Sequence, residues 1–273
     1  MSRPPDTVLP LNEKGRFYHL NCGPGDVAPY VLTCGDMGRA RKIARSFEQI
    51  TVRRQNREFL TITGSYHDIP VSALGTGIGA DNTAIAVIEA AQCVTPLTFI
   101  RLGTCGALQE NIQVGDLIIT EVAIRDEGTT HYYAPPEEPA PAHPEVIKAL
   151  VQAARDLQVR FHVGITCTTG DFYAGQGRRA PGFPLIDPHK VERLSREGVL
   201  NLEMEMSAYL TLARVSTYKL RAGGACVVYA NRITGQAAFA SAKLRRQAEG
   251  RLIQVGLRAV EILNQRDLEK GAI

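Results

Sequence analysis

The stretch LTFIRLGTCGAL, residues 97–108, opens as a run suited to the middle of a sheet and carries one residue foreign to such a place. A continuous apolar run bounded by turn residues marks a strand covered on both faces. Arg101 interrupts it, and a buried guanidinium is expensive unless a carboxylate or a bound anion meets it. Gly103, Thr104 and Gly106 follow at once. They predict a tight turn at the carboxyl end of the strand, with backbone N–H groups and a hydroxyl pointing outward. Ligands of open α/β sheets bind at that edge. An ion pair between Arg101 and an internal acid is the alternative.

Working outward, a second strand has a similar end. VLTCGDMGR, residues 31–39, places Gly35 where the backbone can approach a ligand closely, with Arg39 four residues later. A helix starting at Asp36 would offer the amides of Gly35–Gly38 as an anion seat. The plainer reading is a strand-to-helix turn with a surface arginine. Two arginine-bearing strand ends in one sheet share phosphate as their natural ligand, because guanidinium forks match its geometry.

The remaining chain alternates strand and helix signals, interrupted by hairpins. Strands are expected at 30–34, 58–64, 69–75, 97–102, 117–124, 161–168 and 225–230, with SYHD as the turn between the second and third. Helices are expected at 38–47, 83–92 (capped by Asp81 or Asn82), from Pro144, at 187–197, after an extended start in 200–214, and at 238–265. HYYAPPEEPAPAHPEV reads as a proline-rich surface loop. This pattern favours an α/β fold with a mixed sheet covered by helices. No internal repeat or linker divides the chain, so one domain over 1–273 is expected.

Bulk properties agree. The 273 residues are 44% hydrophobic and 22% charged, as a packed globular core requires. A net charge of +3 is too small to argue for nucleic acid but leaves room for a small anionic substrate. The six scattered cysteines form no C-x-x-C pair and read as buried free thiols of a reducing compartment. The first twenty residues lack a signal-peptide apolar region and no run approaches membrane-spanning length, so a cytoplasmic protein with no membrane partner is expected.

Two further stretches carry chemistry. LNLEMEMSAYLTLA, residues 200–213, sets Glu203 and Glu205 in an apolar run, on one face if extended, with Met204 on the other. Such carboxylates need partners; a ribose diol is one, a core arginine or a helix cap another. DFYAGQGRR, residues 171–179, combines the stacking face of Phe172, the amide of Gln176 and the donors of Arg178. That set complements a flat ring with carbonyls and an N–H, such as uracil; a solvated surface turn is the alternative. His19 in FYHL by itself reads as a structural histidine, and RRQNREF, with Arg57 and Glu58, as a solvated charge run. No Walker loop, G-x-S-x-G, H-E-x-x-H or dinucleotide fingerprint is present.

Taken together, YHL, GDMGR, REF, GTGIG, RLGTCGALQ with VGDLII, FYAGQGR, EME and the closing ANR resemble the nucleoside phosphorylase superfamily, in order from about Phe17 to Arg232. FYAGQGR is similar to its pyrimidine branch, the uridine phosphorylase type. The resemblance implies a three-layer α/β/α sandwich around a mixed, barrel-like sheet. It implies that Gly35, Arg39, Arg101 and Thr104 hold phosphate, with Arg57 reaching in from a neighbouring subunit. Met204 and Glu205 would hold the ribose, with the neighbour's copy of His19, and Phe172, Gln176 and Arg178 the base. Arg101, Gln176 and Arg178 are the expected catalytic residues. Inorganic phosphate is the implied co-substrate, with no other cofactor, and a homo-oligomer of site-sharing dimers, often a hexamer, is the implied assembly.

The chain departs from the family pattern in places. Met37 replaces a common proline, GADNTAIA differs from the usual helix entry, and Tyr229 and Ala230 stand where bacterial relatives carry aliphatic residues near the base pocket. Some relatives bind a monovalent cation at positions matching Glu58, Ile78 and Asn82, and the third breaks that pattern. The purine branch carries a late aspartate to protonate its base, whereas the matching segment here is YANRITG, without an acid. A purine nucleoside phosphorylase and an inactive nucleoside-binding protein are the alternative readings.

Overall fold

The computed structural model describes residues 7–239 and 241–271. The fold opens with β1 (Tyr30–Cys34) and α1 (Met37–Ala44), then three successive strands, β2 (Gln49–Asn56), β3 (Phe59–Tyr66) and β4 (Ile69–Gly75). Helix α2 (Ala80–Ala91) leads into β5 (Leu97–Ala107) and β6 (Leu117–Asp126). The short β7 (Ala140–Pro141), α3 (Pro144–Asp156) and β8 (Phe161–Thr169) follow, then α4 (Lys190–Arg196), β9 (Asn201–Glu203) and α5 (Met206–Val215). Strand β10 (Leu220–Asn231) and the long helix α6 (Ala242–Glu269) come last.

The strands lie in the order β10-β6-β8-β9-β5-β1-β4-β3-β2, and β10 also pairs with β5. That extra pairing closes five strands into a ring, the barrel-like core, from which β1, β4, β3 and β2 extend. Parallel pairing of β1 with both β4 and β5 meets antiparallel β2–β3–β4 meanders, so the sheet is mixed as expected. Strand alternation sends side chains into two cores. Leu32, Ile100 and Leu102 face a cluster completed by α1, α3 and α6, whereas Val31 and Phe99 face one completed by α2 and α5. Helices therefore cover the sheet on both sides.

Two expectations need correction and one needs an addition. The strand through Arg101 does not turn at Gly103 but runs on to Ala107, because β10 pairs with it as far as Asn231. The charge run 53–56 is solvated as expected, its residues exposed or half-buried, but it also belongs to a strand, β2, which among the described residues pairs only with β3, at the sheet's edge, where no apolar face is needed. Helix α2 starts earlier than expected, with Gly79 as N-cap and no side-chain capping bond, so Asp81 and Asn82 sit in its first turn. The SYHD turn is as expected: Tyr66 pairs with Ile69, and His67 and Asp68 take φ of 48° and 61°.

Candidate active site

A cavity of about 630 Å³ opens where β1 ends, β5 passes and β9 meets α5. It collects nine of the eleven expected site residues: Gly35, Arg39, Arg101 and Thr104; Phe172, Gln176 and Arg178; Met204 and Glu205. They come from four separate parts of the chain, and the sheet order brings them together.

Arg101 lies 3% exposed at the centre. Its Nε donates to Glu203 Oε2 at 3.0 Å and its Nη2 to Glu205 Oε2, while Nη1 is buried with no partner among the described residues. Burial works against this charge, but the Glu205 and Glu203 carboxylates override it and hold the guanidinium well above its ordinary pKa. The ion-pair reading is therefore correct, and it leaves Nη1 unused. Glu203 is spent on structure: it also accepts from Glu205 N at 2.9 Å, from Met206 N and from Thr168 Oγ1. Glu205 is less committed, with Gly79 N donating to Oε1 at 2.8 Å. Burial raises its pKa, Arg101 pulls it down and Glu203 raises it further, for a net upward shift. Gly35 is needed for closeness, since a Cβ there would meet Gly77 O at 3.0 Å and Glu205 Oε1 at 3.8 Å.

The anion seat at the start of α1 is not free in the way the sequence suggests. Asp36 is the N-cap, and its carboxylate accepts from Gly38 N at 2.8 Å and Arg39 N at 3.1 Å. Arg39 is buried rather than a surface arginine. Its Nε donates to Glu249 Oε1 at 2.8 Å and its Nη1 to Leu102 O at 3.0 Å. Tyr229 packs at this corner too: burial raises its pKa, opposed by neighbouring Arg39, and its ring meets that of Phe239 edge-on. Tyr229 thus belongs beside the arginine.

On the far side, Arg178 lies over the Phe172 ring at 4.0 Å, donates to Phe172 O at 2.7 Å and bonds the Gln176 side chain. Burial, and then the charge of Arg232, push Arg178 down to about 10. Gln176 is buried, and its backbone carbonyl accepts from Arg232 Nη1 at 2.9 Å. Arg232 and Glu249 are site-building residues that the sequence reading did not single out. Arg232 stood in the ANR motif and could have been found there; Glu249, on a helix of mixed polarity, gave no signal.

His19 and Arg57 do not line this cavity. Arg57 sits at the β2–β3 turn with φ of 50°, its guanidinium 5.5 Å from the Tyr18 ring centre. His19 Nδ1 lies 2.7 Å from Glu89 Oε1. The positions matching a cation site do gather round Gly77, where a Cβ would meet Asn82 Nδ2 at 2.6 Å and Glu58 Cγ at 3.0 Å. Asn82 Nδ2 donates to Ile78 O at 3.3 Å.

The curated relatives are nucleoside phosphorylases, uridine phosphorylases for the most part, with a guanosine phosphorylase of Halorubrum lacusprofundi, 34% identical over 217 residues, also among them. A family model described as the phosphorylase superfamily matches residues 29–261. The chain is 44% identical over 265 residues to a uridine phosphorylase of Thermococcus kodakarensis, covering 96% of this chain and 91% of that one. It is 34% identical over 255 residues to the uridine phosphorylase of Escherichia coli, covering 92% and 99%. Among solved structures, a Trypanosoma brucei nucleoside phosphorylase described as showing uridine phosphorylase activity superposes with a TM-score of 0.86 at 26% identity, covering 92% and 99%.

Proposed function

The chain belongs to the phosphorylase superfamily, and on that premise we propose that it is a uridine phosphorylase, cleaving uridine with inorganic phosphate to uracil and ribose 1-phosphate, reversibly. The observation that carries this reading is the composition of one cavity: two arginines each with an uncommitted edge, a carboxylate beside them, and an aromatic–amide–guanidinium set opposite. The strong likeness to uridine phosphorylases along nearly the whole chain supports the pyrimidine branch.

In this reading phosphate sits against Arg39, Arg101, Thr104 and the Gly35 backbone, with Arg101 Nη1 as a pre-placed donor. Glu205 accepts from the ribose hydroxyls beside Met204, and Phe172 stacks on the base. A phosphate oxygen attacks the anomeric carbon as the glycosidic C–N bond breaks, and the bonding electron pair leaves with the base. Gln176 and Arg178 stabilise that negative charge. No acid is offered to a purine at the late segment. Asn231 stands there with its amide donating to Gln109 O and Ile112 O and accepting from Ile233 N and Thr234 N. Arg57 and His19, which do not line the single-chain cavity, complete the phosphate and ribose ends from a second subunit, in a dimer-based homo-oligomer.

The test is incubation with uridine, thymidine and inosine, with and without phosphate, following free base by chromatography. Phosphate-dependent release of uracil is expected. Release from inosine alone would transfer the chain to the purine branch, and saturable binding without products would make it a nucleoside-binding protein.

A further inference from the structure

Arg39 is useful to an anion only if its charge is held at the cavity wall, and nothing in α1 does this. The two groups that do are remote. Leu102 O, on β5, takes Nη1 at 3.0 Å, and Glu249 Oε1, on α6 and 210 residues away, takes Nε at 2.8 Å. The Glu249 side chain is only 7% exposed, and its second oxygen accepts from Lys42 Nζ, one turn along α1 from Arg39. Burial opposes the ionised carboxylate, but the hydrogen bonds from Lys42 and Arg39 win and hold it below the ordinary range. These contacts use Nε and Nη1, and Arg39 is among the groups lining the cavity. Tyr229, packed against the same corner, restricts the alternatives open to the side chain.

We propose that Glu249 is a positioning residue for phosphate: it orients the Arg39 guanidinium and, with Lys42, ties α6 to α1 at the anion end of the site. The proposal rests on phosphorolysis being the reaction, and it adds a residue outside the cavity lining. A buried guanidinium cut loose from its acid turns toward other acceptors, so removing the carboxylate costs aim more than it gains in positive potential. The effect belongs to phosphate and not to the nucleoside, because the Glu249 carboxylate hydrogen-bonds Arg39 and Lys42 and none of Phe172, Gln176, Arg178 or Glu205.

The experiment measures KM for phosphate and for uridine, and kcat, in the full-length wild type, Glu249→Gln, Glu249→Asp, Arg39→Ala and the Arg39→Ala/Glu249→Gln double variant. Glu249→Gln is expected to raise phosphate KM about tenfold, the scale of a lost charge-assisted contact, with uridine KM within about twofold. Glu249→Asp, which keeps the charge, is expected between wild type and Glu249→Gln, and it carries the test if Glu249→Gln does not fold. In the Arg39→Ala background the Gln substitution is expected to change phosphate KM less than about twofold, because the cycle closes through Arg39. An unchanged or lowered phosphate KM in folded Glu249→Gln, or an equal effect in both backgrounds, would overturn the proposal. If the wild type shows no phosphate dependence at all, the reaction assignment fails instead.

Discussion

Arg178 and Arg101 show what one side chain in this cavity does for function and for stability. Arg178 is held over Phe172 and beside Gln176, half-buried and next to Arg232, and it lines the cavity. Loss of one donor that stabilises charge in a transition state typically costs about 10²–10³ in rate. Arg178→Ala is expected to lose turnover with uridine by about that factor while its melting temperature stays near wild type. Near-normal kcat would remove Arg178 from the mechanism. Arg101 is different, because it neutralises Glu203 and Glu205 inside the protein. Arg101→Ala strands two buried carboxylates and is expected to cost about 3–5 kcal/mol of stability as well as activity, readable by urea unfolding. An Arg101→Ala protein as stable as wild type would mean the carboxylates find other partners.

At the scale of elements, the seam between β5 and β10 controls the site, since it both closes the ring and sets the pitch of Arg101. Gly224 lies opposite Arg101 in that pairing, and a Cβ there would stand 2.5 Å from Arg101 O and 2.9 Å from Met206 Cε. Overpacking of this kind typically costs about 1–3 kcal/mol. Gly224→Ala is expected to lower the urea midpoint and also to weaken phosphate use, because the displaced neighbour is Arg101 itself. Destabilisation with unchanged kinetics would separate the seam from the site. Elements with a strong local pattern were legible in the sequence: β1 and β4 have the expected bounds, and α5 follows an extended start as expected. β2 was not, because an edge strand needs no apolar face.

Across the whole molecule, α6 joins the two ends of the sheet through its acids. Glu249 meets Arg39 at the cavity, and Asp267, near the helix's other end, accepts from Tyr30 Oη at 2.7 Å and from Arg221 Nη1 at 2.8 Å. Burial opposes the charge of Asp267, but the hydrogen bonds from Arg221 and Tyr30 hold its pKa below the ordinary value. A carboxyl with a depressed folded pKa contributes stability that is full above its unfolded pKa, about 4, and is lost as pH falls through the folded value. The melting temperature is therefore expected to drop on acidification below about pH 4, and Asp267→Asn to flatten that limb while lowering stability at pH 7. An unaltered acid limb would exclude Asp267 as a contributor. At the level of assembly, if Arg57 acts across a dimer, mixing inactive Arg57→Ala and Arg178→Ala subunits restores about a quarter of wild-type activity, through mixed dimers with one intact site. No recovery after confirmed subunit exchange would confine the site to one chain.

The sequence by itself determined the fold class, through its alternation of apolar runs and turns, and the chemical inventory of the cavity, because polar residues in apolar runs demand partners. It left open which partners those are. Tertiary structure decided that Arg101 meets Glu203 and Glu205 and that Glu249 holds Arg39. The reason is physical: local pattern reports the environment a side chain needs, whereas its actual neighbour depends on strand order, register and helix docking over separations of up to 237 residues.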